Sequence, residues 1–99
     1  MLEIRAMQAE DLEAVVRTES QIFSRPWSRK GFEDALRQKE TIYLVAYEKD
    51  ILAGYCGLLQ SFDEADITNV AVVEKFRKKG VATELLEQLF LRGYECGIE

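Results

Sequence analysis

A basic turn at residues 75–80 contains the residues of this sequence whose types and spacing could do chemistry. The turn reads Lys-Phe-Arg-Lys-Lys-Gly and follows a stretch at 67–73 that is rich in β-branched residues, which are typical of strands. Apolar residues then recur at 81, 85, 86, 89 and 90, as on one face of an amphipathic helix. The sequence therefore predicts a strand, a cationic turn and a helix N-terminus in succession.

This succession has the chemistry of an anion-binding site. The first N–H groups of a helix have no partner within the helix, and the helix dipole adds positive potential there. Gly80 leaves room for a phosphate where a Cβ would intrude. The spacing fits neither a P-loop nor the three-glycine dinucleotide fingerprint. The residues alone indicate a phosphate-bearing ligand, although basic turns with a glycine are also common in α/β proteins.

The distribution of charge supports an anionic ligand. The chain has 99 residues and a net charge of −5, which argues against a general nucleic-acid-binding protein. Residues 51–99 contain five basic side chains, and four of these are Lys75, Arg77, Lys78 and Lys79. An acidic chain that collects its cations at one helix entrance is expected to receive an anion there.

The remaining composition excludes several chemistries. The chain has no histidine, which excludes Ser-His-Asp, Cys-His and histidine-ligated metal sites. Its two cysteines, Cys56 and Cys96, form neither a disulfide framework nor a metal motif, so we expect no metal. Free thiols, the lack of a signal peptide and the lack of a long apolar run predict a cytoplasmic protein with no membrane partner.

The turn resembles the cofactor motif of the GNAT family of N-acetyltransferases, whose pattern is Arg/Gln-x-x-Gly-x-Gly/Ala. That pattern is present at 77–82, and residues 69–72 are similar to the family's fourth strand, whose backbone pairs with the pantetheine arm. The resemblance implies acetyl-CoA (coenzyme A) as the cofactor. The cofactor-binding residues that it implies are Val70, Ala71, Val72, Arg77, Lys78, Lys79, Gly80, Val81, Ala82 and Thr83.

The rest of the chain predicts the elements that would position this site. A strand at 2–5 is followed by a helix at 9–23, a break with the only proline, and a second helix of about a dozen residues. Ser28 caps that second helix, and Trp27 with Phe32 forms a hydrophobic staple. The later elements are strands at 41–47, 51–60 and 67–73, turns at 48–50 and 61–65, and a helix at 80–95 ended by Gly97. The small residues of the strand at 51–60, which include Gly54 and Gly57, predict close packing on that face, by a helix in preference to a ligand.

These elements predict an α/β (α+β) fold, with a mainly antiparallel four-stranded sheet and three helices. Their order resembles the first two-thirds of the acyl-CoA N-acyltransferase fold. The sequence ends at Glu99, about where the family's fifth strand would begin, so we expect residues 1–99 to be a single incomplete domain. The resemblance places the family's acid and base beyond that point. The catalytic residues are therefore unknown, and we expect this chain alone to be inactive.

Glu19 lies on the apolar face of the first predicted helix, between Val16 and Ile22. The favoured interpretation is a rim residue that bends to water, and the alternative is a substrate-binding carboxylate that meets a cationic amine. The stretch 19–32, with its Pro-Trp-Ser, resembles the subfamily that acetylates a protein N-terminal alanine. This implies a ribosomal protein as acceptor. Small amines or antibiotics remain the alternative, because the cofactor motif does not encode the acceptor.

A hypothesis from a different class is a coenzyme-A-binding half-domain without catalysis, stable only by self-association. The strand at 67–73 would keep one unpaired edge on the inferred topology, and an exposed edge is a template for pairing. We therefore expect a homodimer through this edge.

Overall fold

Four strands form one antiparallel sheet whose spatial order is the order of the chain. The computed structural model describes residues 2–61 and 64–95, so Cys96, Gly97 and part of the turn predicted at 61–65 lie outside the described residues. The strands are β1 (Leu2–Ala6), β2 (Thr41–Glu48), β3 (Ile51–Ser61) and β4 (Glu64–Val72). The helices are α1 (Leu12–Ile22), α2 (Arg29–Arg37) and α3 (Val81–Glu95), with short 3-10 turns at Ala9–Asp11 and Glu74–Phe76. The predicted fold class is confirmed.

Helices cover both faces of the sheet, because the side chains of the central strands alternate between two apolar clusters. On β2, Tyr43 and Val45 join the cluster under α1 and α2, whereas Leu44 and Ala46 join the cluster under α3. Phe32 of α2 is fully buried in the first cluster, and Leu85 and Leu89 of α3 are fully buried in the second. The sheet is therefore the middle layer of the fold, and the C-terminal end of β4 lies near the start of α3.

The start of α2 follows the predicted signals. Ser28 caps the helix, since its Oγ accepts a hydrogen bond from Gly31 N at 3.1 Å. The rings of Trp27 and Phe32 lie 5.2 Å apart, which confirms the hydrophobic staple. The helix has nine residues rather than about a dozen. It ends where the backbone of Gln38 becomes extended, and Thr41 Oγ1 donates to the terminal carbonyl of Ala35 at 2.5 Å.

Two other elements start three residues away from the predicted position, and the remaining boundaries differ by at most one residue. The first helix starts at Leu12 rather than at residue 9, because the Asp11 carboxylate accepts from Gln8 N at 2.7 Å and closes a 3-10 turn. The fourth strand starts at Glu64 rather than at residue 67, because cross-strand pairing with β3 extends it beyond its β-branched part. Among the described residues, no helix is long and apolar enough to cross a membrane.

Candidate functional site

A cleft of about 460 Å³ lies where β4 ends and α3 begins. Nine of the ten predicted cofactor-binding residues line it, and Lys79 is not among the lining residues. The residues that line the cleft are Val70, Ala71, Val72, Arg77, Lys78, Gly80, Val81, Ala82 and Thr83, together with Ile22 and Phe23. Sequence reasoning missed Ile22 and Phe23, because apolar residues at the end of a helix carry no local signal of a ligand. The structure thus brings the turn, the strand and the end of α1 to one cleft.

The backbone of the turn has two residues in the left-handed region. Gly80 has φ +81°, and a Cβ placed on it would meet nothing within 4 Å. Lys78 has φ +65°, a conformation that costs an L-residue roughly 1–2 kcal/mol. Strained backbone of this kind is concentrated at functional sites. The open space beside Gly80 is where a phosphate could approach the backbone.

The start of α3 presents its free donors to the same cleft. The first bond of the helix is donated by Glu84 N to Gly80 O at 3.0 Å. The N–H groups of Val81, Ala82 and Thr83 therefore precede the intrahelical ladder, and these three residues line the cleft. Together with the positive end of the helix dipole, they suit an anion.

The four cations of the turn divide into two pairs. Arg77 and Lys78 line the cleft, and Arg77 Nε also donates to Val72 O at 3.1 Å, which joins the turn to the end of β4. The Lys75 and Lys79 ammonium groups instead lie 5.2 Å and 5.9 Å from the ring centroid of Phe76. The predicted basic cluster is thus one pair that faces the cleft and one pair beside an aromatic ring.

The orientation of the β4 backbone gives the cleft a further donor. Val73 N donates to Ala53 O of β3 at 2.8 Å. Because successive N–H groups of a strand point to opposite sides, the N–H of Val72 points away from β3. Val72 lines the cleft, so this donor faces the open edge of β4.

The described lining of the cleft contains cations, apolar groups and backbone donors, but no carboxylate or phenol. The site therefore has the means to bind an anion, and its described lining shows no carboxylate or phenol that could act as a general base or acid. No group of histidine, cysteine, aspartate and glutamate side chains in the described part of the chain could hold a metal ion.

Glu19 is buried, with 2% of its surface exposed, so the interpretation of a rim residue in contact with water is wrong. One carboxylate oxygen accepts from Trp27 N at 3.0 Å, and the other accepts from Tyr55 Oη at 2.5 Å. These internal donors replace water, which is what allows a carboxylate to be buried. Burial and the bond to Glu19 raise the pKa of Tyr55, so this hydroxyl remains a donor. Contact between Glu19 and a substrate amine stays a prediction.

A hydrogen-bonded group formed by Tyr43 of β2 with Thr68 and Asn69 of β4 was also not predicted from the sequence. The Tyr43 hydroxyl lies 2.8 Å from Thr68 Oγ1 and donates to Asn69 Oδ1 at 3.4 Å. Burial raises the pKa of Tyr43, which keeps its hydroxyl protonated. A register shift between Gly57 and Leu58 brings both β4 residues to this hydroxyl, and such a shift has no clear sequence signal.

Cys56 is a packed core thiol. It is fully buried, and its Sγ donates to Leu85 O at 3.8 Å. Burial raises the pKa of this thiol to about 12, so it is protonated and unreactive at neutral pH.

The sequence matches a known family over most of its length. Residues 8–99 match the family described as "Acetyltransferase (GNAT) family". Over 83 residues the chain is 34% identical to a Bacillus subtilis (strain 168) protein provisionally named [ribosomal protein bS18]-alanine N-acetyltransferase. That match covers 83% of this chain and 55% of the relative, so the chain spans about half the length of this curated protein.

Solved structures share the fold. The ribosomal-protein-S18-alanine N-acetyltransferase from Escherichia coli superposes with a TM-score of 0.86 at 24% identity, over 99% of this chain and 63% of its own. The PaiA N-acetyltransferase from Thermoplasma acidophilum, solved in complex with coenzyme A, gives a TM-score of 0.87 at 18% identity. That match covers 99% of this chain and 75% of the other.

Proposed function

We propose that this chain, which belongs to the acetyltransferase (GNAT) family, binds acetyl-CoA in the cleft between β4 and α3. The observation that carries the proposal is the convergence in one cleft of Arg77, Lys78 and the first N–H groups of α3. Cations and helix N-terminal donors together suit a pyrophosphate. The match of residues 8–99 to the acetyltransferase (GNAT) family supports an acyl-CoA as the ligand class.

The residues of the cleft fit separate parts of such a cofactor. The N–H groups of 81–83 and the two cations would hold the phosphates, and the open space at Gly80 would admit them. The backbone of Val70–Val72 would pair with an extended pantetheine arm. When bound, acetyl-CoA would supply an activated thioester, and the outward N–H of Val72 would be available to polarise its carbonyl.

The acceptor that we propose is the N-terminal alanine of a ribosomal protein. The 34% identical relative carries that activity in its name, and its match includes 83% of this chain. The solved structures are under 25% identical and support only the fold. Small amines remain the second candidate, because the residues of the cleft would bind the cofactor and do not define the acceptor.

A binding measurement can distinguish these candidate acceptors even if turnover is slow. Because the described lining offers no carboxylate or phenol as base or acid, we expect little or no acetyl transfer by this chain alone. At saturating coenzyme A, we would titrate an alanine-first peptide, the same peptide with a blocked N-terminus, and an aminoglycoside. Selective binding of the unblocked peptide supports the proposal. Binding of the aminoglycoside alone would assign the small-amine alternative.

We also propose that the chain pairs with a second copy through β4. Within the described residues, β4 pairs only with β3, and Ile67 on this strand is 44% exposed. Unpaired strand edges favour pairing, and a twofold axis would satisfy both edges with one interface. Since the same edge lines the cleft at 70–72, dimerisation and the pantetheine arm would compete for backbone groups.

A further inference from the structure

One residue fixes both ends of the connection between α1 and α2, which is residues 23–28. The main-chain oxygen of Glu19 accepts from Phe23 N at 3.0 Å, where α1 ends. The carboxylate of the same residue accepts from Trp27 N at 3.0 Å, just before the Ser28 cap of α2. Both ends of the connection are therefore hydrogen-bonded to Glu19.

The sheet holds this residue from a third direction. Tyr55 of β3 is fully buried and donates its hydroxyl to the second carboxylate oxygen at 2.5 Å. Hydrogen bonds to an ionised acceptor are shorter and stronger than those between neutral groups. Glu19 thus joins a helix end, a connection end and a strand, which makes the position of the connection depend on one carboxylate.

The connection forms part of the cleft. Phe23 of the connection and Ile22 at the end of α1 are the lining residues that come from outside β4, the basic turn and the start of α3, and Phe23 is 36% exposed. At its other end, the Trp27 ring packs against Phe32 at 5.2 Å and against Tyr43 at 6.3 Å. Moving the connection would therefore move a wall of the cleft and an aromatic contact together.

We infer that Glu19 is a positioning residue whose buried carboxylate clamps the α1–α2 connection, so that Ile22 and Phe23 form one wall of the acyl-CoA cleft. The inference rests on the proposed function for the identity of the ligand, and on the hydrogen bonds alone for the clamp. It also differs from direct contact with a substrate ammonium, because Glu19 is 2% exposed and its two carboxylate oxygens accept internal bonds.

The test compares two substitutions of this residue with a matched surface change. Glu19→Met keeps an unbranched side chain but removes both acceptors. Glu19→Gln keeps one acceptor for Trp27 and can donate to Tyr55. Glu13→Met makes the first change on the exposed side of α1, where the carboxylate side chain is 83% exposed.

Two readouts separate positioning from stability. Trp27 is the only tryptophan of the chain, so quenching of its fluorescence by acrylamide reports on the connection alone. The second readout is the dissociation constant of coenzyme A, measured by calorimetry. For Glu19→Met we expect roughly twofold stronger quenching and about tenfold weaker binding, as for the loss of one bond to a charged group. Glu13→Met should stay within about twofold of the wild type in both readouts, and Glu19→Gln, which keeps only neutral hydrogen bonds, should lie between the wild type and Glu19→Met.

Several results would overturn the inference. One is a folded Glu19→Met protein whose quenching and affinity match the wild type. Another is reduced thermal stability with unchanged affinity, which would mean a purely structural role. Equal damage by Glu19→Gln and Glu19→Met would mean that the charge itself is required, as in contact with an ammonium group.

A further variant keeps the inference testable if the Glu19→Met protein does not fold. Tyr55→Phe removes only the hydroxyl that holds the carboxylate to β3, and it should shift both readouts in the same direction by less. No shift in either readout would contradict the clamp. If the wild type binds no coenzyme A, the proposed function fails, while the quenching data still decide whether Glu19 holds the connection.

Discussion

The ring of Tyr43 occupies the space that a side chain on Gly57 would need. A Cβ on Gly57 would fall 2.2 Å from Tyr43 Cε1, far inside the distance of real contacts. The two residues face each other across β2 and β3, and the ring carries the hydroxyl that reaches Thr68 and Asn69. Because Gly57 has no side chain, the Tyr43 ring can lie over β3 and bring its hydroxyl to Thr68 and Asn69 of β4.

We predict that Gly57→Ala destabilises the protein by about 1–3 kcal/mol, because the ring must shift within a packed core. The matched change is Gly31→Ala in α2, where the nearest side-chain atom to the new Cβ is 3.6 Å away. An alanine in a helix should stabilise by about 0.5–1 kcal/mol at that position. Urea denaturation measures both free energies of unfolding. Equal effects of the two substitutions would contradict this account of Gly57.

The small residues of β3 show how far sequence reasoning reaches. A helix above them was predicted, and Leu85 of α3 does lie 3.3 Å from a Cβ on Gly54. The nearest atom there, however, is Ala71 O of β4 at 2.6 Å, and Gly57 is covered by a ring from β2. Composition indicates that something packs closely on a strand, but only the register shows which neighbour does.

In the candidate site, too, local sequence patterns predicted some features, and tertiary packing determined the others. The turn and the strand before it are contiguous in sequence, so their arrangement in one cleft was predictable from local patterns. Ile22 and Phe23 come to the cleft only through tertiary packing. The burial of Glu19 depends on a partner 36 residues away, Tyr55, which no local spacing reveals.

We predict that folding stability falls at acidic pH partly through Asp11. Burial acts to raise the pKa of this carboxyl, but hydrogen bonds from Arg5, Gln8 N and Tyr47 hold it below its ordinary value. A lowered folded-state pKa stabilises the protein above the unfolded value of about 3.9, and this contribution is lost as the pH falls through the folded value.

The variant Asp11→Asn should cost about 1.5–3 kcal/mol at about pH 7, the range for hydrogen bonds to a charged group. The difference from the wild type should shrink below about pH 4. Asp34→Asn is the control, because its contact with Lys30 is 3.8 Å long and exposed. A pH-independent difference between wild type and Asp11→Asn would show that ionisation of Asp11 is not the cause.

The left-handed backbone of Lys78 predicts that one substitution raises stability while it weakens coenzyme A binding. Lys78→Gly should raise the free energy of unfolding by about 0.5–1 kcal/mol, because glycine adopts a positive φ without strain. Lys78→Ala keeps the strain and should not stabilise. Both variants lose the same charge, so both should weaken coenzyme A binding to a similar extent. If Lys78→Gly were less stable than Lys78→Ala, the left-handed conformation of Lys78 would be wrong.

The exposed edge of β4 predicts self-association that coenzyme A reverses. Sedimentation equilibrium at micromolar concentration should show a dimer of the 11.4 kDa chain, and saturating coenzyme A should shift it toward monomer. Ile67→Lys should weaken the dimer by placing a charge at the edge. A monomer at all concentrations would mean that the edge is protected without a second copy.

The most direct measurement is calorimetric titration of acetyl-CoA at low salt into the wild type and two double variants. Arg77→Ala with Lys78→Ala removes the cations that line the cleft, and Lys75→Ala with Lys79→Ala removes the same charge beside Phe76. We predict at least about tenfold weaker binding for the first pair, since each charge-assisted contact contributes roughly 1.5–3 kcal/mol when desolvated. The second pair should stay within about threefold of the wild type. Equal losses in the two pairs, or wild-type affinity in the first, would contradict the assignment of this cleft to the cofactor.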